Sequence, residues 1–140
     1  MTDIRNYVEF TADFPDDIVF SEEGDIQVPG RRNVLNVLRD MLLRLGFEVS
    51  PIGQHSYYGW DMTVSDGKYK YWFMIQDPDA CLLITEPRYR LFTRRSKARE
   101  GLHECLVQLN RELAEDRRFH EIRWYTSQEY NESAAGASAP

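Results

Sequence analysis

Apolar residues recur at steps of three and four in two windows of this chain, and at steps of two in much of what lies around them. In the first window, RRNVLNVLRDMLLRLG, Val34, Val37, Leu38, Met41 and Leu45 form a stripe that Leu35 and Leu42 widen, which predicts an amphipathic helix. Pro29 and Gly30 precede it, and Gly46 stands where a left-handed residue closes a last helical turn. In the second window Ala98, Leu102, Cys105, Leu106, Leu109 and Leu113 repeat in the same way, with polar residues on the other face and Thr93 or Ser96 as the expected N-cap.

Alternation takes over elsewhere. YVEF, DIVF and DIQV read as short or edge strands separated by Pro15 and Gly24. Between the helices, residues 47–52, 57–64, 68–76 and 81–86 read as a meander, and FHEIRWYT at 119–126 adds a strand after the second helix. This order predicts an α+β fold: a mainly antiparallel sheet, made of a four-strand meander plus N- and C-terminal strands, with two amphipathic helices on one face. One domain is expected over 1–130, its first 28 residues an acidic strand or arm segment, and the small polar stretch 131–140 reads as a disordered tail.

The register follows from the turns. Asp66-Gly67 suits a two-residue hairpin, which pairs Val64 with Tyr69, Met62 with Tyr71, Trp60 with Phe73 and Tyr58 with Ile75. A turn at Asp77-Pro78-Asp79-Ala80 then sets Cys81 opposite Gln76 and adds Leu82 and Ile84 to the same face. The helices should cover that face, burying Trp60, Tyr71, Phe73 and Ile84 with Leu38, Met41, Leu106 and Leu109. The other face then carries Tyr57, Gly59, Asp61, Trp72, Met74, Cys81 and Leu83, with too many large apolar groups for a solvated surface. Such a face requires cover, from its own chain or from a partner.

A hydrophobic fraction of 42% and an aromatic fraction of 13% supply a real core and exclude wholesale disorder. No apolar run approaches a membrane span of about 20 residues, and MTDIRNYVEF lacks the basic-then-apolar start of a secretory signal, so a cytoplasmic, non-membrane protein is expected. The formal charge of −6 is unevenly placed. Asp3, Glu9, Asp13, Asp16, Asp17, Glu22, Glu23 and Asp25 face only Arg5 in the first 25 residues, with Phe10, Phe14 and Phe20 interleaved. Arg88, Arg90, Arg94, Arg95, Lys97 and Arg99 run without an acid between them, an anion-binding candidate set with Tyr89 and Phe92 beside it. The net acidity argues against a general nucleic-acid binder.

Catalytic and metal constellations are weak. His55 and Asp61 stand six residues apart in HSYYGWDM, which is roughly 20 Å along a single strand and too far for acid–base cooperation. His55 and Cys81 approach each other on the outer face in this register, a sparse basis for a nucleophile. His103-Glu104-Cys105 occupies consecutive helical positions that point in different directions, so a boundary histidine and a core cysteine are expected rather than a metal site. Cys81 and Cys105 form no metal-spaced pair, and no phosphate-cradling loop is present, so neither catalytic residues nor a cofactor or metal is assigned.

Size, acidity and layout are similar to those of small binding proteins such as toxin-neutralising immunity proteins and secretion chaperones. That likeness implies a non-enzymatic protein that binds another protein, in the first form an immunity-type inhibitor of a basic toxin or secreted effector. Its expected partner-binding residues are Tyr57, Asp61, Trp72, Met74 and Leu83 on the outer face, with Asp16 and Asp17 steering approach. The alternatives are a secretion or assembly chaperone working as a homodimer through the outer face, and an enzyme or nucleotide-binding domain using His55, Cys81 or the Arg88–Arg99 cluster.

Overall fold

The computed structural model describes residues 4–56, 58–76 and 80–140. Its elements in chain order are β1 (Tyr7–Ala12), β2 (Val19–Phe20), β3 (Ile26–Val28), α1 (Arg32–Arg44), β4 (Glu48–Val49), β5 (Gly53–His55), β6 (Gly59–Ser65), β7 (Lys70–Gln76), β8 (Cys81–Arg88), α2 (Arg95–Glu115), β9 (Phe119–Tyr125) and α3 (Ser127–Asn131). Seven strands form one antiparallel sheet in the order β4–β6–β7–β8–β1–β9, with β5 also on β6, while β2 and β3 make a separate hairpin. The α+β class is as the sequence predicts. The N-terminal strand is central rather than peripheral, since β1 sits between β8 and β9 with Val8 and Phe10 at 0% and 1% exposure.

Both helices lie where their stripes place them. Val34, Leu35, Leu38, Met41 and Leu42 of α1, and Ala98, Leu102, Cys105, Leu106, Leu109 and Leu113 of α2, are buried against one sheet face. After α1, Gly46 (φ 97) donates to the Leu43 carbonyl and Phe47 to that of Leu42, the paired bonds of a Schellman cap. Neither Thr93 nor Ser96 caps α2. Arg94 holds that position without a side-chain bond, and the Thr93 hydroxyl instead accepts from the Arg90 N–H at 2.8 Å.

Two strand registers differ from expectation, with different consequences. In the β6–β7 hairpin Trp60 pairs with Ile75, Met62 with Phe73 and Val64 with Tyr71. Asp66 closes the turn by accepting from the Lys68 and Tyr69 N–H groups through one carboxylate oxygen, so the loop is longer than Asp66-Gly67 alone. The slip is two residues, which preserves every face apart from freeing Tyr58, 71% exposed. In β7–β8, Gln76 pairs with Leu82 and Ile75 with Leu83, a slip of one residue that inverts β8. Cys81, Leu83 and Thr85 face the helices, and Leu82 and Ile84 face away. Leu83 is therefore core, and Ile84 leaves the expected core set, whose other members are all buried. The expected turn at 77–80 lies largely outside the described residues.

The stretch 131–140 also departs from expectation. Ala137 exchanges both backbone bonds with Trp124 at 2.8 and 2.9 Å, Asn110 donates to the Ser138 carbonyl, and His103 lies 3.2 Å from the Pro140 carbonyl. These contacts cover the free edge of β9, which satisfies backbone groups that the sheet leaves open.

Candidate functional site

The outer face of the sheet is largely covered by its own chain. Met74 is 5% and Leu82 3% exposed, and Trp72 is half-buried. At one end the Tyr130 ring of α3 packs on Tyr7 and Tyr125, and Glu129 pairs with Arg5 at 3.0 Å. Thr126 and Glu129 hold α3 in place by bonding each other's backbone N–H groups as a capping box. At the other end the Arg88 guanidinium stacks over the Trp72 ring at 5.2 Å and the His55 ring meets its edge at 5.7 Å. Tyr57, expected beside them, lies outside the described residues. Among the described residues, Met74 and Leu82 on this face are buried and Trp72 is half-covered by Arg88 and His55.

His55 and Asp61 do meet, against expectation. The chain reverses at Ser56 (φ 53), β5 pairs back on β6 with His55 opposite Gly59, and Asp61 Oδ2 lies 3.4 Å from His55 Nδ1. The same oxygen accepts from Trp72 Nε1 at 3.0 Å. Gly59 is required at that reversal because a Cβ there would stand 1.9 Å from the Ile75 carbonyl oxygen. Cys81 takes no part, being 1% exposed on the helix-facing side, so the His55–Cys81 pairing is overturned. His103 and Cys105 diverge as predicted, Cys105 being fully buried, while His120 contacts Asp13. Among the described residues no group of three or more His, Cys, Asp or Glu side chains is placed to hold a metal ion.

A polar contact at the edge of the core lies under α2. Tyr71, fully buried, donates to Asp66 Oδ2 at 2.5 Å, and Gly101 sits directly above this bond. Burial and the adjacent carboxylate raise the Tyr71 phenol well above its ordinary range. Burial likewise pushes the Cys105 thiol up to about 12, with Asp66 adding to it. Partial burial opposes ionisation of Asp66, but bonds from the Tyr71 hydroxyl and from backbone N–H groups outweigh it, so its carboxyl stays below the usual range. The bond ties the β6–β7 turn to β7, and α2 packs over it at Gly101.

The acidic segment divides into structural and free carboxylates. Asp17 accepts from the Arg31 and Asn33 N–H groups at 2.7 and 3.0 Å, which places a negative charge on the first turn of α1. Asp16 bonds the Ile18 N–H in an exposed loop. Phe10 is core, and Phe14 packs on Phe119 beneath Arg118, so two of the three interleaved phenylalanines serve the fold. Past Asp17 the β2–β3 hairpin stands apart from the sheet. Val19, Phe20 and Ile26 are 45%, 56% and 40% exposed, and Glu22, Glu23 and Asp25, between the two strands, have no cationic partner among the described residues. Ser21, Glu23, Gly24, Asp25, Ile26 and Gln27 line an open hollow of about 830 Å³ on this hairpin.

The basic run forms a turn between β8 and α2 with no single anion cradle. Arg88 lies on Trp72, Arg95 stacks on the Tyr89 ring at 4.6 Å, and Arg90 and Arg94 extend into solvent without a carboxylate partner among the described residues. At its tip Leu91 and Phe92 are 90% and 92% exposed. The sequence reading named Phe92 beside the basic run but missed Leu91 and the exposed Val19 and Ile26. The available signal was an apolar pair with charge on both sides and no periodic continuation. Among the described residues no helix is long and apolar enough to cross a membrane. No family model, no curated protein and no solved structure matches this chain, so its surfaces are read from their own chemistry.

Proposed function

We propose that this chain works by stoichiometric binding of another protein and that the β2–β3 hairpin is its docking element for a basic partner, as in an immunity-type inhibitor of a basic toxin or effector. The observation that carries this reading is the hairpin itself: Val19, Phe20 and Ile26 stand 40–56% exposed beside carboxylates that have no cationic partner among the described residues. Apolar side chains beside a run of one charge give a partner both a centre to desolvate and a steering field. Asp16 remains available for steering, whereas Asp17 is committed to α1.

Affinity capture with the wild-type chain, followed by titration calorimetry against the basic protein it retains, is the test. One-to-one binding is expected, with Phe20→Ser or Ile26→Ser weakening it at least about thirtyfold, the size of a hot-spot loss. Glu23→Arg should slow association and reduce its salt dependence. Binding unchanged by all three substitutions removes the hairpin from the mechanism. The His55–Asp61 contact supports a second reading, an acid–base or anion-binding site on the outer face with Arg88 nearby. Loss of biological activity in a folded His55→Ala protein, with hairpin variants fully active, puts that reading first.

A further inference from the structure

The hairpin and the basic turn are complementary, and they lie at opposite ends of one molecule. The pairing of β1 with β8 ends at Phe10, opposite Cys81 at the start of β8; β1 stays on β9 through Ala12, and the chain then runs on to the hairpin at Val19. The hairpin's base is fixed at that end, by Asp17 on α1 and by the Pro29 carbonyl accepting from Trp60 Nε1 at 2.9 Å. The basic turn leaves from Arg88, at the far end of β8 opposite Lys70. Cys81 to Arg88 spans about 23 Å at strand rise. Among the described residues no ion pair joins the two elements within one chain.

We propose that they satisfy each other between copies: the Leu91–Phe92 turn of one chain seats in the open hollow of the acidic hairpin of the next. This deepens the reading of the hairpin as a docking element for basic surfaces by naming the partner as a second copy of this chain. Leu91 and Phe92, about nine-tenths exposed, would cover Ile26, which lines the hollow, and Phe20, its partner across the hairpin, and Arg90 and Arg94 would meet Glu23 and Asp25 in the lining and Glu22 beside it. Two different surfaces meet, so the contact is heterologous and propagates head to tail unless the rotation closes a ring. The contact is small, and its affinity is expected on the order of 10–100 μM.

Sedimentation equilibrium across a concentration series tests this. The wild-type average mass should rise with concentration at about 50 mM salt and fall back toward the monomer at about 500 mM salt. Leu91→Ser/Phe92→Ser, altered in the turn, and Phe20→Ser/Ile26→Ser, altered in the hairpin, should each associate at least about tenfold more weakly. All four side chains are solvent-facing, and unchanged melting curves would confirm intact folds. An equimolar mixture of the two double variants retains one working turn and one working hairpin. It should form a complex that stops at two chains. A wild type that remains monomeric overturns the proposal without touching the reading of the hairpin, which calorimetry on a foreign basic partner decides. Association that survives in either double variant, or a mixture that stays monomeric, also overturns it. So does a monomeric wild type that binds vesicles rich in phosphatidylserine through Phe92, because the turn would then serve an anionic lipid surface.

Discussion

Glycine in the interior of a helix is less favourable than alanine by about 1 kcal/mol, so Gly101→Ala in α2 would stabilise an isolated helix. Here the sign reverses. A Cβ on Gly101 would stand 2.1 Å from Tyr71 Oη, 3.0 Å from Asp66 Oδ2 and 3.4 Å from Tyr71 Cζ. Relief requires a shift of about 1 Å, and both ways of making it are costly. Lifting α2 loosens Leu102, Cys105 and Leu106, which are fully buried. Swinging the phenol breaks its 2.5 Å bond to Asp66 and strands a hydroxyl in the core. Hydrogen bonds to charged groups contribute about 1.5–3 kcal/mol and overpacking costs about 1–3 kcal/mol. After the helix-propensity gain, Gly101→Ala should destabilise by about 1–3 kcal/mol in urea unfolding.

The sterics can be separated from every other effect of the substitution. Tyr71→Phe removes Oη, and the nearest tyrosine-ring atom then sits 3.4 Å from the added Cβ, an ordinary contact. The Asp66 Oδ2 contact at 3.0 Å needs a shift of only a few tenths of an ångström, which an exposed carboxylate can make while its Oδ1 keeps the Lys68 and Tyr69 bonds. In the Tyr71→Phe background Gly101→Ala should therefore be neutral or stabilise by up to about 1 kcal/mol. The double-mutant cycle should return a coupling of at least about 1.5 kcal/mol. A Gly101→Ala protein as stable as the wild type, or a coupling below about 0.5 kcal/mol, refutes the argument that Gly101 is present for the Tyr71–Asp66 bond.

Two further perturbations test the same structure. Asp17→Ala should cost about 0.5–2 kcal/mol, because it removes the acceptor for two N–H groups at the start of α1, whereas Asp16→Ala should stay within about 0.5 kcal/mol; equal effects in urea melts would refute the division between capping and free carboxylates. Stability should fall as pH rises from about 8.5 toward 11, because Cys105 and Tyr71 ionise at ordinary values in the unfolded chain but are held protonated when folded. That stability is fully present below the unfolded values and is lost as pH rises toward the folded ones. Tyr71→Phe and Cys105→Ala should each flatten the urea midpoint against pH, and an unchanged slope in both would exclude this cluster as its source.

The helices were legible because each buries one stripe and exposes the rest, so period 3.6 survives in the sequence. Gly46 was legible for a related reason: one conformation is required there and one residue type adopts it readily. Strand registers were legible only as far as parity carries information. β6 alternates strongly, and its faces survived a two-residue slip. In β8 the run Cys81-Leu82-Leu83-Ile84 is apolar throughout, since α2 covers one face and the chain's own neighbours most of the other. Alternation vanishes when both faces are buried, so nothing in that run could fix which side Leu83 takes. α3 announced itself in Thr126-x-x-Glu129, a signature that competes poorly for attention with the apolar runs beside it.

The acidic and basic runs were visible at once, but charge counts do not distinguish a carboxylate that caps a helix from one that meets a partner. Asp16 and Asp17 are adjacent in sequence, and only the position of α1 assigns the second to the fold. The same holds for the apolar residues among the charges. Phe10 and Phe20 look alike in sequence, yet one lies at 1% and the other at 56% exposure. What separates them is whether the local strand joins the main sheet, a long-range fact set by the β1–β8 and β1–β9 pairings. Exposed apolar groups among unpaired charges retain no structural duty that accounts for them. The surface to perturb first is therefore the hairpin and the turn, where the fold places no demand on Phe20 or Phe92, rather than the aromatic-rich HSYYGWDM stretch whose Trp60 and Asp61 already bond to their own chain.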